Sequence, residues 1–368
     1  MKRTTTAIPA TYVRGGTSRA VIFHRGDLPT DRTKWRAIFQ SVLGSPDPDS
    51  KQLDGLGGGI TSLSKVAVVA RSTRTGVDVD YLFVQVEPAT GELLVDANCG
   101  NISSAIGPFA VDEGWCQAGA DGARVRIFNE NSGKMIVSSF DPGTEESEYI
   151  EISGVPGKAM PITLAFEDPS SSMGRGFLPT GNVVDTLDFA GQKGIRVTLL
   201  DVSVPCAIVA ATDAGIEGDA VYTALASNER FLAMMRELRV AASLRMGFCQ
   251  QERDARDVLV NVPDVIVVSQ PPEGQVGITA RFVSCDRAHR AAPVTSSMAL
   301  AAACVLPGTV AASFAKSDGS RMVKVHHPSG AVEVSVTPGS DGRPASTEIQ
   351  RTARRIMQGQ VLIPFSLG

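Results

Sequence analysis

Gly100-Asn101-Ile102-Ser103-Ser104-Ala105-Ile106-Gly107-Pro108-Phe109-Ala110-Val111 is the stretch on which the fold turns. It reads as a helix of small and apolar residues with no charged face. A helix that is apolar nearly all round has to be buried. A second such run, Ser296-Ser297-Met298-Ala299-Leu300-Ala301-Ala302-Ala303-Cys304-Val305, stands in the other half of the chain, and Pro307-Gly308 must terminate it. Short strand-like segments surround both. In the first half they fall near residues 11–23 (with Gly15-Gly16 at a bend), 65–70, 77–83, 125–128, 135–138 and 149–152. In the second they fall near 197–200, 207–210, 265–268, 278–283, 323–325 and 332–336. Residues 30–43 have the spacing of an amphipathic helix ended by Gly44, and 220–244 are rich in strong helix formers. Residues 347–361 stay ambiguous, because Arg351, Arg354 and Arg355 interrupt a strand-sized pattern.

Strands and helices do not alternate as βαβ units would. The pattern predicts an α+β protein of two similar domains, each a curved, mostly antiparallel sheet wrapped around a central helix. Leu178-Pro179-Thr180-Gly181-Asn182 marks the expected boundary, with one domain over 1–184, the other over 185–355, and the last strand, 356–368, returning to the first. The length of 368 residues suits two domains.

Hydrophobic residues make up 43% of the chain and charged ones 20%, as in a globular protein with sizeable cores. A net charge of −4 without long basic runs, and only 5% aromatics, argue against a nucleic-acid partner. The first residues lack the continuous apolar segment of a secretion signal, and no apolar run is long enough to span a membrane, so no membrane association is expected. The six cysteines, at 99, 116, 206, 249, 285 and 304, form no CxxC pair. They suggest a reduced, cytoplasmic setting rather than a disulfide or zinc framework. His326 and His327 are neighbours on a strand and must face opposite ways, so no metal is expected.

Four polar clusters could carry chemistry. Asp96-Ala97-Asn98-Cys99-Gly100-Asn101 places a thiol at or just before the start of the first buried helix. Unpaired N–H groups there favour a thiolate and attract anions. Asn98, Gly100, Asn101 and Ser103 can supply donors around one anionic group, although a free buried cysteine can also be a small hydrophobe. Arg14-Gly15-Gly16-Thr17-Ser18-Arg19 can grip a carboxylate through hydroxyls and backbone N–H groups, or be no more than a hairpin turn. Asp54-Gly55-Leu56-Gly57-Gly58-Gly59 is not a nucleotide fingerprint, since a strand follows it rather than a helix. Beyond it come Ser62, Ser64 and Lys65. Lys65 opens an apolar strand, where partial desolvation favours the neutral amine, a usable base; a lysine snorkelling from a strand end is the alternative. The fourth cluster is His289-Arg290 with Thr295-Ser296-Ser297 at the second buried helix. Thr295 is the expected N-cap, and Ser296 or Ser297 can donate to a ligand.

At these clusters the chain resembles the PrpF family of unsaturated polycarboxylate isomerases, which share the diaminopimelate-epimerase-like fold. The matching stretches are RGGTSRAVIF (14–23), LDGLGGGITSLSKVAVV (53–69), STRTGVDVDYLFVQV (72–86), NCGN (98–101), GPFAVDEG (107–114), LPTGNVVDTLD (178–188), LRVAASLRMG (238–247), HPSG (327–330) and RTARRIMQGQVLIP (351–364). The resemblance implies two similar domains with the site in the cleft between them, and Lys65 and Cys99 as the proton-handling pair. It also implies that Gly16, Thr17, Ser18, Gly100 and Asn101 hold substrate carboxylates. Arg14, Ser64, Asn98, His289, Thr295, Ser296 and Ser297 complete the expected binding set. The chain departs from the family pattern at Ser62-Leu63-Ser64 ahead of the lysine, at Ser296-Ser297, and at Val204 before Pro205.

The expected activity is isomerisation without metal or other cofactor. Either a double bond moves by 1,3-allylic proton transfer, or cis and trans forms interconvert, in an unsaturated di- or tricarboxylate such as 2-methylaconitate. 4-Oxalomesaconate tautomerase and aconitate isomerase are the alternatives within this chemistry. A metabolite-binding protein without catalysis is the alternative outside it. A two-thiol racemase would need a second cysteine at the start of the second buried helix, where Thr295-Ser296-Ser297 stands instead. A homodimer is admitted but not required.

Overall fold

The structure, a computed structural model, describes residues 5–95 and 98–365. Asp96 and Ala97, part of the cysteine-bearing stretch, lie outside the described residues. Contacts divide the chain into two units, Met1–Leu164 with Arg351–Gly368, and Ala165–Gln350. The expected boundary after residue 184 falls inside the second of these. Residues ahead of it are tied there by Asp201 N–H to Phe177 C=O and Ser171 N–H to Asp201 C=O, both 2.9 Å.

The first unit contains β1 (Thr6–Gly15), β2 (Ser18–His24), α1 (Trp35–Leu43), β3 (Lys65–Arg71), β4 (Val79–Val86), β5 (Leu93–Leu94), α2 (Gly100–Asp112), β6 (Ala123–Asn129), β7 (Lys134–Phe140), β8 (Ile150–Glu151) and β9 (Lys158–Ala159). The strand β10 (Ile162–Glu167) runs across the division. The second unit contains β11 (Asp185–Phe189), β12 (Gln192–Val202), β13 (Val204–Ala210), α3 (Tyr222–Ala226), α4 (Glu229–Arg245), α5 (Glu252–Asp257), β14 (Asp264–Ser269), β15 (Ile278–Ser284), β16 (Arg287–Ala288), α6 (Val294–Val305), β17 (Met322–His327), β18 (Gly330–Pro338) and β19 (Pro344–Arg351). The last strand, β20 (Ala353–Ile363), pairs with β1. The ambiguous basic stretch is thus two strands, β19 and β20, broken at Thr352.

The two units repeat one pairing plan. In the first, β1–β2 is antiparallel, β2–β3 parallel, β3–β4 antiparallel, β4–β6 parallel and β6–β7 antiparallel. In the second, β12–β13, β13–β14, β14–β15, β15–β17 and β17–β18 follow the same order of senses. The first parallel crossover holds α1 in the first unit and α3, α4 and α5 in the second, and a small-residue helix enters the second crossover of each (α2, α6). A parallel crossover needs a dozen or more residues, so helices occupy these two places.

Alternation along the strands sends the crossover helices to opposite faces. Val21, Phe23, Val66, Val68, Val84 and Val86 form one core with Ile38, Phe39, Val42 and Leu43 of α1. Each such side chain contributes about 1.5–3 kcal/mol on burial. Helix α1 ends at Gly44, which takes the left-handed φ of +73° that glycine accommodates without strain. The opposite face carries Ala67, Val69, Tyr81 and Phe83 and receives α2. That helix packs against β1, β2, β6, β7 and β20, so the sheet curves around it. Close approach is set at Gly107, where a Cβ would stand 2.6 Å from Ser138 Cβ. In the second unit α4 covers one face, with Phe231, Met235, Leu238 and Ala242 in the core, and α6 lies against β12, β13, β14, β17 and β18. Among the described residues no helix is long and apolar enough to cross a membrane.

Candidate active site

Lys65 is the first residue of β3, opposite Gln85 on β4 and beside Ala20 on β2. Cross-strand partners share a face, so Lys65 stands on the face that receives α2. It is buried, at 8% exposure, rather than snorkelling into solvent. Its Nζ donates to Gln85 Oε1 and lies 5.1 Å from the centre of the Phe83 ring. Gln85 is held rigidly, because its Nε2 lies within 3.0–3.1 Å of the carbonyls of Thr61, Ser64 and Val86. The amide oxygen is thereby aimed at the amine.

Cys99 is the N-cap residue of α2, in extended conformation. Its carbonyl accepts from Ser103 N–H and from Ser103 Oγ, both at 3.0 Å. Asn98, just before it, is tied to Asn129 Nδ2 (3.2 Å) and lies near Ser103 Oγ (3.4 Å). Asn131 bridges Phe83 N–H and C=O (both 2.8 Å) and Val95 C=O (2.9 Å). An amide network from the β6–β7 turn therefore fixes the chain on both sides of residues 96 and 97.

The structure brings two of the sequence clusters together. Thr17 N–H approaches Asn101 Oδ1 at 3.4 Å, and Asn101 Nδ2 donates to Thr17 Oγ1 at 3.2 Å. Gly15 and Gly16 let this turn sit on the start of α2, next to Gly100. A Cβ on either would collide with Asn101, and Gly16 has a φ of +50°. Ser18 is buried and pairs with Gly15. Arg14 and Ser64 have structural partners. Arg14 Nη1 lies 2.9 Å from the carbonyls of Gly16 and Thr352 and 3.0 Å from Thr352 Oγ1, and so pins the turn to the approach of β20. Ser64 Oγ contacts Gln52 Oε1 at 2.6 Å, and Gly59 N–H donates to the same oxygen at 2.8 Å. The glycine-rich loop is thus built around Gln52.

In the second unit α6 begins at Val294 with Pro293 as its N-cap residue, not with Thr295 as expected. Proline fits at a helix start, and Ser297 meets the Pro293 carbonyl through both N–H (2.9 Å) and Oγ (2.6 Å). Thr295, Ser296 and Ser297 are therefore buried in the first turn. Ser296 Oγ donates to Asp264 Oδ2 at 2.6 Å. His289 N–H donates to Phe282 C=O at 2.8 Å. His326 meets Val276 C=O, whereas His327 Nδ1 accepts from Ser329 N–H. Among the described residues no group of three or more His, Cys, Asp or Glu side chains could hold a metal ion.

The internal repeat makes Asp264 the counterpart of Lys65. Each is the first residue of its strand, and each pairs with the third residue of the strand before it, Cys206 and Ala20 respectively. In the second unit this position reaches the first turn of the buried helix. Sequence reasoning missed Asp264, although it opens an apolar strand just as Lys65 does. It also missed Gln85, whose signal is a polar residue continuing the stripe Val79-Tyr81-Phe83.

Burial pushes the Asp264 carboxyl up to about 6, against hydrogen bonds from Ser284 and Ser296 that lower it. Below about pH 4 the group is protonated folded and unfolded alike, and no penalty arises. As pH rises towards 6 the unfolded chain ionises first, so stability falls, by about 3 kcal/mol across that window. Asp264→Asn should flatten the dependence of the urea midpoint between pH 4 and 7. An unchanged slope would show that the carboxyl is not the source.

A model of the PrpF protein family matches residues 5–364. The chain belongs to the PrpF family. It is 36% identical over 360 residues to the (4E)-oxalomesaconate Delta-isomerase of Novosphingobium sp. (strain KA1), covering 96% of this chain and 97% of that one. It is 34% identical over 385 residues to the 2-methyl-aconitate isomerase of Cupriavidus necator, covering 97% of each. The crystal structure of a methylitaconate-delta-isomerase superposes with a TM-score of 0.80 at 31% identity, over 98% of this chain and 96% of that one. This PrpF member is accordingly an isomerase, with the α+β fold of two similar units that its sequence indicates.

Proposed function

We propose that this PrpF member is an isomerase that needs no cofactor and moves a double bond along an unsaturated di- or tricarboxylate, with Lys65 and Cys99 as the proton-handling pair. The relatives' names support the substrate class, since each acts on a small unsaturated carboxylate. The observation that carries the reading is the placement of Lys65, a buried amine on the very face that receives α2, the helix headed by Cys99.

A 1,3-shift removes a proton from one carbon and adds one at the other. The intermediate is a dienolate whose charge spreads onto a carboxylate or ketone. One base and one acid suffice for the transfers. Fixed N–H groups at the start of α2, with Thr17 and Asn101 beside them, can meet the developing charge. Either side chain of the pair can begin the reaction. The fine choice among 2-methylaconitate, 4-oxalomesaconate, aconitate and methylitaconate depends on which methyl, keto or carboxymethyl group is accepted. Racemisation by two thiols lacks its second sulfur. Cys285 lies in the β15–β16 turn and Cys304 near the far end of α6, away from its first turn.

Proton NMR in D₂O against these four acids tests the reading. The expected result is conversion of at least one, with deuterium entering the allylic carbon. Binding of the acids with neither conversion nor exchange would favour the non-catalytic alternative.

A further inference from the structure

Tyr81 lies at the centre of β4 with its side chain on the α2 face, between Val69 of β3 and Asn129 of β6. It is fully enclosed. Its hydroxyl has no hydrogen-bond partner among the described residues. An enclosed hydroxyl without an acceptor costs about 1–3 kcal/mol, so an unused donor at this place calls for a physical reason. The surroundings supply one. Asn129, its neighbour on the same face, reaches Asn98, the residue before Cys99. Ser103 is close enough to act on the phenol, but its Oγ hydrogen goes to the Cys99 carbonyl, and no hydrogen bond to the Tyr81 hydroxyl is formed in the resting geometry. Burial first, and then negative charge at Cys99, push the Tyr81 phenol well above its usual range, with Ser103 acting the other way. The phenol therefore stays protonated throughout the working range and keeps its hydrogen available to donate.

We infer that the Tyr81 hydroxyl is a positioning donor reserved for the Cys99 thiolate, forming its hydrogen bond when the thiol gives up its proton. This rests on the reading of Cys99 as a proton carrier and deepens it. A thiolate accepts hydrogen bonds far better than a thiol does. The bond is thus made in the charged state and missing in the resting state, which is the condition for lowering a barrier rather than tightening a ground state. The other ionisable groups on this face are Lys65, bonded to Gln85; His24, 3.3 Å from Glu113; Arg355, over the Phe109 ring of α2 and 3.0 Å from Glu113; and Lys134, opposite Asn129. Glu130, whose N–H donates to the Tyr81 carbonyl, turns its carboxylate to Arg25 at 2.6 Å. Neither carboxylate is therefore the partner of the phenol.

The test is the pH dependence of iodoacetamide alkylation at Cys99, followed by mass spectrometry of the peptide that contains it, so that the other five cysteines do not interfere. In Tyr81→Phe the pH of half-maximal reactivity should rise by about one unit, the size expected for losing one hydrogen bond to a charged group. Replacement of Tyr81 by 3-fluorotyrosine, a stronger donor of nearly the same shape, should move it the other way. A purely structural role predicts no such opposite shifts. Coincident profiles for wild type and the fluorotyrosine protein would overturn the inference even if Tyr81→Phe fails to fold. Turnover separates this from the function itself. Near-full activity in Cys99→Ser would refute the thiol's catalytic part while leaving any alkylation shift in place.

Discussion

Lys65→Met should lower kcat by about 10³-fold, within the range that a positioned acid or base contributes. Methionine keeps the apolar stem against Phe83 and removes the amine. The structural cost is confined to Gln85 Oε1, which loses its donor, at about 1–3 kcal/mol. Far-UV circular dichroism and the urea midpoint should therefore report a folded protein, and the loss should appear in kcat rather than KM. Lys65→Arg sharpens the comparison. Arginine restores a cation and a donor for Gln85 but cannot give up its proton. If Lys65→Arg recovers most of the activity, the amine is an electrostatic anchor, and proton transfer by Lys65 is wrong. If both variants are equally dead while folded, the amine is the working base or acid.

Gly15→Val should be the most damaging change made away from the reacting pair. The new Cβ would fall on the Asn101 carbonyl oxygen and 3.0 Å from Ile102 Cα, both of them backbone atoms in the first turn of α2. Backbone cannot rotate aside as a flexible side chain does, so either the β1–β2 turn or the helix start must move. Overpacking of this kind costs about 1–3 kcal/mol, occasionally more. The helix start carries Cys99, so turnover should fall further than stability alone explains. Gly76→Ala is the control. Its φ of +73° also favours glycine, but nothing lies within 4 Å of the added Cβ. It should lose only the backbone preference, about 1–2 kcal/mol, and keep its kcat. Equal activity in the two variants would show that the contact between turn and helix does not position the site.

Much of this protein could be read from local pattern. The two helices of small residues have no face fit for water, so their burial follows from composition alone. Lys65 at the mouth of an apolar strand and Cys99 at a helix start were visible as chemistry out of place. Arg14 shows where such reading stops. Its chemistry suits a carboxylate ligand, but its Nη1 meets Thr352, 338 positions away along the chain. Ser64 is similar, because Gln52 and not a ligand receives its hydroxyl.

Periodicity and residue type by themselves determined the α+β class, the two central helices and the amine and thiol that stand out from their surroundings. These are properties of neighbours along the chain, which steric preference and hydrophobic spacing fix without reference to distant partners. Tertiary structure alone decided which side chains face one another. It set Gln85 against Lys65, joined Asp264 to Ser296, seated the Gly15-Gly16 turn on Asn101 and enclosed the Tyr81 hydroxyl near Cys99. Each of those pairings depends on strand register and on helix packing across the sheet. A register shift of one residue would turn Lys65, Gln85, Tyr81 or Asp264 to the opposite face of its sheet.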